Sequence, residues 1–200
     1  NNILIIMKQN LLYIITLFFL FNNCTKNENI IYNNILEDID GNLYHTIKIG
    51  KQVWMVENLR VTHYQNGDPI PNINDSLQFQ KLTSGAYSNY NNDSLTTIYG
   101  KLYNWYSVND KRNICPKGWH IPDVDEWEVL SKYLGGMDIA GGKLKESSTI
   151  HWLDPNNEAT NESGFTGLPG GSMQAPSGDP GIYFIGRFGN WWSATEDFLF

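Results

Sequence analysis

Residues 115–130 decide the fold, and they read Cys-Pro-Lys-Gly-Trp-His-Ile-Pro-Asp-Val-Asp-Glu-Trp-Glu-Val-Leu. Pro122 stops the preceding segment, and Asp123 comes next, where a helix needs an N-cap. Glu126 follows three residues later, so its carboxylate can reach back to the Asp123 amide in a capping box. The stretch therefore predicts a helix that begins directly after Asp123.

The predicted helix has one apolar stripe. Trp127, Leu130 and Leu134 repeat at helical spacing, so their side chains share a face that can pack on a sheet. The glycine pair at 135–136 ends the helix after about three turns, because glycine adopts the left-handed conformation at little cost. Upstream, the alternation over residues 118–121 predicts a short buried strand that leads into the helix.

Residues 43–59 predict a β-hairpin. Apolar and polar side chains alternate over 43–49, and Gly50-Lys51 suits a two-residue turn with glycine first. Residues 52–59 form the predicted returning strand. One face of the first strand carries Leu43, His45, Ile47 and Ile49.

The rest of the body alternates short elements with polar loops. The polar segment 64–97 predicts a long loop region with one short helix near Asp75–Lys81. The helical spacing of Leu102, Trp105 and Tyr106 predicts a helix over residues 99–108. Three further strands are predicted at 164–171, 182–188 and 191–192, and the last of them is predicted to be buried.

Composition limits the function. The formal net charge of the 200-residue chain is −7, and no cluster of lysine and arginine occurs. Because nucleic-acid binding depends on the neutralisation of phosphates, the sequence argues against a nucleic-acid partner. Glycine, asparagine and aromatic residues are abundant and the apolar runs are short, which indicates a loop-rich β architecture with few helices.

The N-terminal residues predict an export signal. A short basic segment at 7–10 precedes the apolar run Leu11–Phe21, which is too short to cross a membrane that needs about 20 residues. Cys24 follows and resembles the lipid-modified cysteine of a lipobox, although asparagines at 22–23 stand where small residues are usual. A general secretory signal and an uncleaved anchor are the alternatives.

The chain therefore divides into three predicted parts. Residues 1–23 are a lipoprotein signal peptide, and residues 24–36 are a polar tether without enough apolar content to fold alone. Residues 37–200 form one domain, which is long enough to bury a core.

Five sequence blocks carry a resemblance to a known family. In order, they are Trp-Met-Val-Glu-Asn-Leu (54–59), Tyr-Gly-Lys-Leu-Tyr-Asn-Trp (99–105), the 115–130 stretch, Gly-Phe-Thr-Gly-Leu-Pro-Gly-Gly (164–171) and Gly-Asn-Trp-Trp-Ser-Ala-Thr (189–195). They resemble the Fibrobacter succinogenes major paralogous domain of bacterial lipoproteins and secreted multidomain proteins. The motif residues are Trp54, Glu57, Asn58, Tyr103, Trp105, Cys115, Gly118, Trp119, Pro122, Glu126, Trp127, Gly164, Phe165 and Trp192.

A more distant similarity is to the C-type-lectin-like fold, as used by formylglycine-generating (sulfatase-modifying) enzymes, which carry comparable "Leu-Pro-Thr…Glu-Trp" and "Gly-Asn-Val-Trp-Glu-Trp" blocks. The resemblances imply an α+β fold with loop-rich antiparallel sheets and two main helices. Members of the family usually continue past the Trp-Trp-Ser-Ala-Thr block to a last strand with a Ser-Val-Arg-Cys type ending. We therefore expect the domain to be incomplete at its C-terminus.

Cys115 has two readings. Either its disulfide partner lies beyond Phe200, or it is a buried free thiol that behaves as a small hydrophobic residue. A catalytic thiol is disfavoured, because no arrangement of histidine and acid is visible around it beyond His120.

The remaining site signals are weak. Residues 154–162 are rich in oxygen ligands, but they lack the acidic spacing of a calcium loop, so a solvated loop is the preferred reading. The four histidines lie far apart, and we expect no metal and no cofactor. Tyr103 and Trp105 can be read as a platform for sugar stacking, although core aromatics with a polar edge are preferred.

The sequence analysis favours a cell-envelope lipoprotein domain without evident catalysis, held at the outer membrane by its N-terminal lipid. We expect a surface binding or adhesion module whose partner is a glycan or another surface polymer. The alternatives are an enzyme of the formylglycine-generating kind, which depends on a cysteine pair near the C-terminus, and a purely structural envelope protein.

Overall fold

The computed structural model describes residues 35–91, 93–174 and 179–196. The predicted signal peptide, Cys24 and nearly all of the tether lie outside the described residues. The described strands are β1 (Leu36–Glu37), β2 (Leu43–Tyr44), β3 (Thr46–Ile49), β4 (Gln52–Met55), β5 (Tyr87–Ser88), β6 (Leu102–Tyr103), β7 (Ser172–Gln174) and β8 (Gly181–Tyr183). The described helices are α1 (Ser76–Lys81), α2 (Asp93–Tyr99), α3 (Trp105–Val108), α4 (Val124–Tyr133) and α5 (Met137–Leu144).

The strands pair in sequence order into four separate antiparallel sheets of two strands each. The prediction of a mixed fold with small antiparallel sheets is confirmed. The described residues contain five helices, where the sequence predicts two main ones. None of the described helices combines the length and apolar character that crossing a membrane requires.

The predicted hairpin is confirmed in its central part. β3 and β4 pair so that Ile49 faces Gln52 and Ile47 faces Trp54. Gly50 makes the turn with a φ of 61°, a conformation that favours glycine. Ile47, Ile49 and Trp54 are buried, so this face of the hairpin contributes to a core.

The single strand predicted over 43–49 breaks at His45. The Glu57 carboxylate accepts the His45 amide at 2.6 Å and contacts its ring Nδ1 at 2.6 Å, so this amide does not pair with the opposite strand, although the His45 carbonyl still accepts the Val56 amide at 3.0 Å. β2 pairs with β1 instead, and Leu43 is exposed whereas Tyr44 is buried. The predicted face is therefore wrong for Leu43 and His45. The returning strand is also shorter than predicted, because it ends with β4.

Helix α4 begins where the sequence predicts. Asp123 Oδ1 accepts the Glu126 amide at 2.8 Å, and Glu126 Oε2 accepts the Asp123 amide at 3.1 Å, which completes the capping box. Leu130 and Leu134 are buried, and Trp127 is half-buried against the same core. The helix and its packing face are confirmed.

The helix predicted over 99–108 is wrong in its first half. Gly100 turns the chain with a φ of 76°, and β6 then pairs with β5. Asn104 caps the short α3, because its Oδ1 accepts the Ser107 amide at 3.0 Å. The short helix predicted near residues 75–81 is confirmed, as α1 with Asp75 as its cap.

Two predicted strands around tight turns are absent from the described residues. Over 118–121 the chain is irregular, because Trp119 donates its amide to Pro116 O at 3.0 Å in a turn. Over 164–171 the Asn161 side-chain oxygen accepts the Thr166 amide at 2.9 Å. The segment forms only an isolated β-bridge, between Gly167 and Lys145, instead of a strand.

The two C-terminal strand predictions also need correction. The strand predicted over 182–188 ends with β8, because Phe184 has a φ of 64° and begins a turn. No strand forms at 191–192. Trp191 and Trp192 are 39% and 44% exposed rather than buried.

Two groups of buried side chains stabilise the domain. The first core consists of Ile47, Ile49, Trp54, Leu130, Leu134, Ala140 and Phe165. The second core consists of Val61, Tyr64, Ile70, Tyr87, Val108, Ile114 and Cys115. The hairpin and α4 build the first core, and loop segments with β5 and α3 build the second.

The capping box gives a stability prediction. We expect Asp123→Ala to lower the free energy of unfolding by about 1 kcal/mol, because the Glu126 amide loses its acceptor. Asp125→Ala is the matched control, since Asp125 lies in the same exposed turn and does not cap the helix. We expect it to cost only a few tenths of a kcal/mol, roughly the helix-dipole contribution. Urea unfolding measures both, and equal costs would contradict the capping role.

Candidate functional site

A cavity of about 540 Å³ lies between the two cores. Trp54, Trp127 and Phe165 line it from the first core or its edge, and Cys115 and Ile114 line it from the second. Pockets of this size and aromatic lining commonly take small molecules in proteins. The cavity is therefore the candidate functional site.

Aromatic rings form much of the cavity wall. The ring centroids of Trp54 and Trp127 lie 4.8 Å apart at an interplanar angle of 39°. Phe165 packs edge-on against Trp54 at 6.1 Å and against Trp191 at 5.6 Å. Trp192 also lines the cavity and is 44% exposed, so part of the wall reaches solvent.

Hydrogen bonds join the segment 189–195 to the other blocks. Trp191 Nε1 donates to Asn58 Oδ1 at 3.1 Å, and Trp192 Nε1 donates to the Tyr103 carbonyl at 2.9 Å. The Trp192 carbonyl accepts Trp127 Nε1 at 3.3 Å. These bonds hold the two tryptophans in the cavity wall, partly exposed, instead of in a buried strand.

Polar groups are few and lie among the aromatics. Glu126 contacts His120 Nε2 at 2.9 Å, and both residues line the cavity. Glu57 also lines the cavity, and its carboxylate contacts the His45 ring. Asn58 donates Nδ2 to the Tyr99 carbonyl at 2.9 Å, so its orientation is fixed from two sides.

The five sequence blocks meet at this cavity. All motif residues of the five blocks line it except Trp105 and Gly164. Trp105 instead packs its ring 6.0 Å from Trp192, and Gly164 approaches Ile47. Cys24 lies outside the described residues. Blocks that are separated by up to 130 residues of chain therefore build one site.

The sequence profile of the Fibrobacter succinogenes major domain matches residues 47–199. The chain belongs to this family. No curated protein and no solved structure matches the chain. The family match covers all five blocks that line the cavity.

Several wall residues of this family domain are not among the motif residues predicted from the sequence. Trp191, Tyr90, Tyr99 and Lys101 line the cavity, although none was a candidate. Lys101 follows Gly100 inside the 99–105 block, and its place in that block is the signal that could have pointed to it. Tyr90 carried no signal, because it lies in the polar 64–97 segment outside every block.

Trp54 has an unusual indole. Its Nε1 is buried without a hydrogen-bond acceptor among the described residues. The indole of Trp152 is equally buried, but it donates to Gly167 O at 3.0 Å. Leaving such a donor without any acceptor costs roughly 1–3 kcal/mol, and the indole of Trp54 lines the cavity.

The described residues contain no cluster of three or more histidine, cysteine, aspartate or glutamate side chains that could hold a metal ion. In the 154–162 loop, Asn156 donates its side-chain amide to the carbonyls of Glu146 and Ser148. These hydrogen bonds hold the loop against the segment 146–148.

Cys115 is a buried thiol without a disulfide partner in the described part of the chain. Burial raises its pKa to about 12. The thiol therefore remains protonated at neutral pH and is a poor nucleophile, because the reactive species is the thiolate. Its surroundings match those of a small buried hydrophobic residue.

The thiol pKa predicts a pH dependence of stability. In the unfolded chain Cys115 deprotonates near its ordinary value of 9.0, whereas the native thiol keeps its proton up to about 12. Unfolding releases a proton in this window, so stability falls as pH rises through it. We expect a loss of about 1.4 kcal/mol between about pH 7 and pH 10. Urea unfolding of a Cys24→Ser background with and without Cys115→Ala isolates this component, and equal pH slopes would contradict it.

Proposed function

We propose that this chain is a non-catalytic binding module of the cell envelope and that it takes a glycan in the cavity. The observation that carries the proposal is the convergence of five separated blocks on one aromatic cavity of about 540 Å³. A purely structural role would not require these blocks to leave such a space between two cores.

The wall chemistry suits a sugar. The C–H face of a pyranose ring is apolar and slightly positive, so it stacks on the electron-rich face of an indole. Trp119, Trp127 and Trp192 line the cavity and are partly exposed. Their indoles are large surfaces with few rotatable bonds, so they bind a flat partner with little loss of entropy.

The polar groups suit sugar hydroxyls. The carboxylates of Glu57 and Glu126 accept hydrogen bonds, and the Asn58 amide oxygen, which already accepts Trp191 Nε1, has a second lone pair. Each is held by a neighbour, Glu57 by His45, Glu126 by His120 and Asn58 by Trp191. Fixed acceptors lose little conformational freedom when a ligand binds, which favours specific recognition.

We propose a C-type-lectin-like arrangement for the domain. Support comes from the mixed architecture, the short antiparallel sheets and the long loops, together with the similarity of the 115–130 and 189–195 blocks to those of formylglycine-generating enzymes. Such folds present ligand sites on loops that a rigid scaffold holds in place.

Enzyme chemistry of the formylglycine-generating kind has little support in the described residues. That chemistry depends on a reactive cysteine pair, and the described thiol is buried with a raised pKa. An assay for thiol oxidation is the direct test of this alternative, and turnover would replace the binding proposal.

Stacking on Trp192 gives the first test. Purified residues 25–200 are screened on a glycan array, and the best ligand is measured by calorimetry. We expect Trp192→Ala to weaken binding at least fivefold to tenfold, which corresponds to about 1–1.4 kcal/mol. Tyr106→Ala is the matched control, because Tyr106 has the same exposed fraction of 44% and lies away from the cavity. Absence of saturable binding to every sugar class would favour a structural envelope protein.

Envelope attachment gives a second test. We expect Cys24 to carry the lipid, so that Cys24→Ala abolishes incorporation of a labelled fatty acid and releases the protein from membranes. Acyl chains hold a protein on a membrane face because the burial of each methylene contributes about 0.8 kcal/mol. Cys115→Ala removes the other cysteine of the chain and should retain both the label and the attachment. Membrane fractionation with unchanged attachment of Cys24→Ala would refute the lipid anchor.

A further inference from the structure

A second pocket of about 250 Å³ shares Lys101 with the main cavity. Three segments build it, namely the turn between β1 and β2, the chain just after β4, and α2 with the residues that follow. Its wall consists of Asp40, Asn42, Arg60, Thr62, Thr96, Thr97 and Lys101. Unlike the main cavity, it is lined without any aromatic ring.

The positively charged Arg60 lines this pocket and has no carboxylate partner among the described residues. No described carboxylate forms an ion pair with it, and Nη2 donates to the Leu43 carbonyl at 3.0 Å. The Nε donor is enclosed and has no acceptor in the described residues. The guanidinium lies 5.3 Å from the ring centre of Tyr44, which fixes its position. The guanidinium of Arg60 is therefore a positioned cation without a carboxylate partner among the described residues.

Lys101 brings a second cation without an ion pair in the described part of the chain. Its Nζ donates to Asn89 Oδ1 at 2.7 Å and lies 4.6 Å from the ring centre of Tyr87. These contacts use one of three ammonium protons, so donors remain. Burial lowers the pKa of Lys101, which means that its charged form lacks full compensation.

Asp40 lies in the same pocket, and its carboxylate raises the pKa of Lys101 against the larger effect of burial, so one negative charge offsets part of the charge of two cations. Its carboxylate accepts the amide and the hydroxyl of Thr62 and contacts His63 Nδ1 at 2.5 Å. Asn42 Nδ2 donates one hydrogen bond to Asp38 Oδ2, so its second amide proton is available as a donor. The pocket therefore presents an excess of N–H donors and positive charge.

We infer that this pocket binds the anionic substituent, a carboxylate or a sulfate, of a sugar whose ring lies in the main cavity. Arg60 and Lys101 donate charge-assisted hydrogen bonds to the anion, and Lys101 joins the two sites. Since the chain carries a formal net charge of −7, its overall field repels anions, and binding requires such a local pair of cations. The inference rests on the proposed glycan function and specifies its ligand as acidic.

The test compares sugars that differ in charge alone. The probes are an oligogalacturonate and its methyl ester, and a sulfated galactan oligosaccharide and its desulfated form. We expect at least one acidic probe to bind the wild-type domain about tenfold more tightly than its neutral partner at low ionic strength. The pair that shows this preference identifies the anion as carboxylate or sulfate. The preference should shrink in high salt, because screening weakens partly exposed charges.

Variants locate the preference. Lys101→Met keeps the stem on Tyr87 but removes the charge, and Arg60→Met removes the other cation. We expect both to bring the ratio of acidic to neutral affinity close to one, and Arg60→Lys to restore part of it, which a loss of folding would not do. Lys111→Gln, an exposed change outside both pockets, should leave the ratio at the wild-type value.

The outcomes separate the two proposals. Equal binding of both forms of each pair, or a charge preference that survives in Lys101→Met and Arg60→Met, overturns the acidic-ligand inference. If neutral glycans from the array bind through Trp192 while the acidic probes gain nothing, the glycan function stands alone. If no sugar binds at all, both proposals fall.

Discussion

The contact between Trp54 and Trp127 is the interaction on which the rest of the structure depends. It joins the β3–β4 hairpin to α4, with ring centroids 4.8 Å apart, and Phe165 closes the group edge-on. Leu130 on the same helix face is almost fully buried in this core. Large buried aromatic side chains dominate the energetics of small cores, so a domain of short sheets needs such a cluster to stay folded.

The same cluster forms part of the cavity wall, because Trp54, Trp127 and Phe165 all line the cavity. The segment 189–195 lies across this space, fastened by indole N–H donors to Asn58 Oδ1 and the Tyr103 carbonyl. Trp54 Nε1 has no acceptor among the described residues.

Local signals predicted some elements well because their evidence lies within a few residues. The capping box between Asp123 and Glu126 and the Gly50-Lys51 turn are determined by hydrogen bonds and backbone preferences of immediate neighbours. Errors arose where a distant group competes with the local pattern. His45 leaves the predicted strand because Glu57 holds it, and the 99–108 segment divides because β6 pairs with β5.

The sequence by itself determined the family, the capped helix, the hairpin turn and the five blocks, because each depends on residue types at short spacing. It also determined the acidic charge, which disfavours nucleic acid. Only the tertiary structure brought the five blocks to one cavity and placed Arg60 and Lys101 in one small pocket. It also decided that Trp191 and Trp192 lie partly exposed across the site. The physical reason is that these outcomes depend on contacts between residues far apart in the chain, which no local periodicity records.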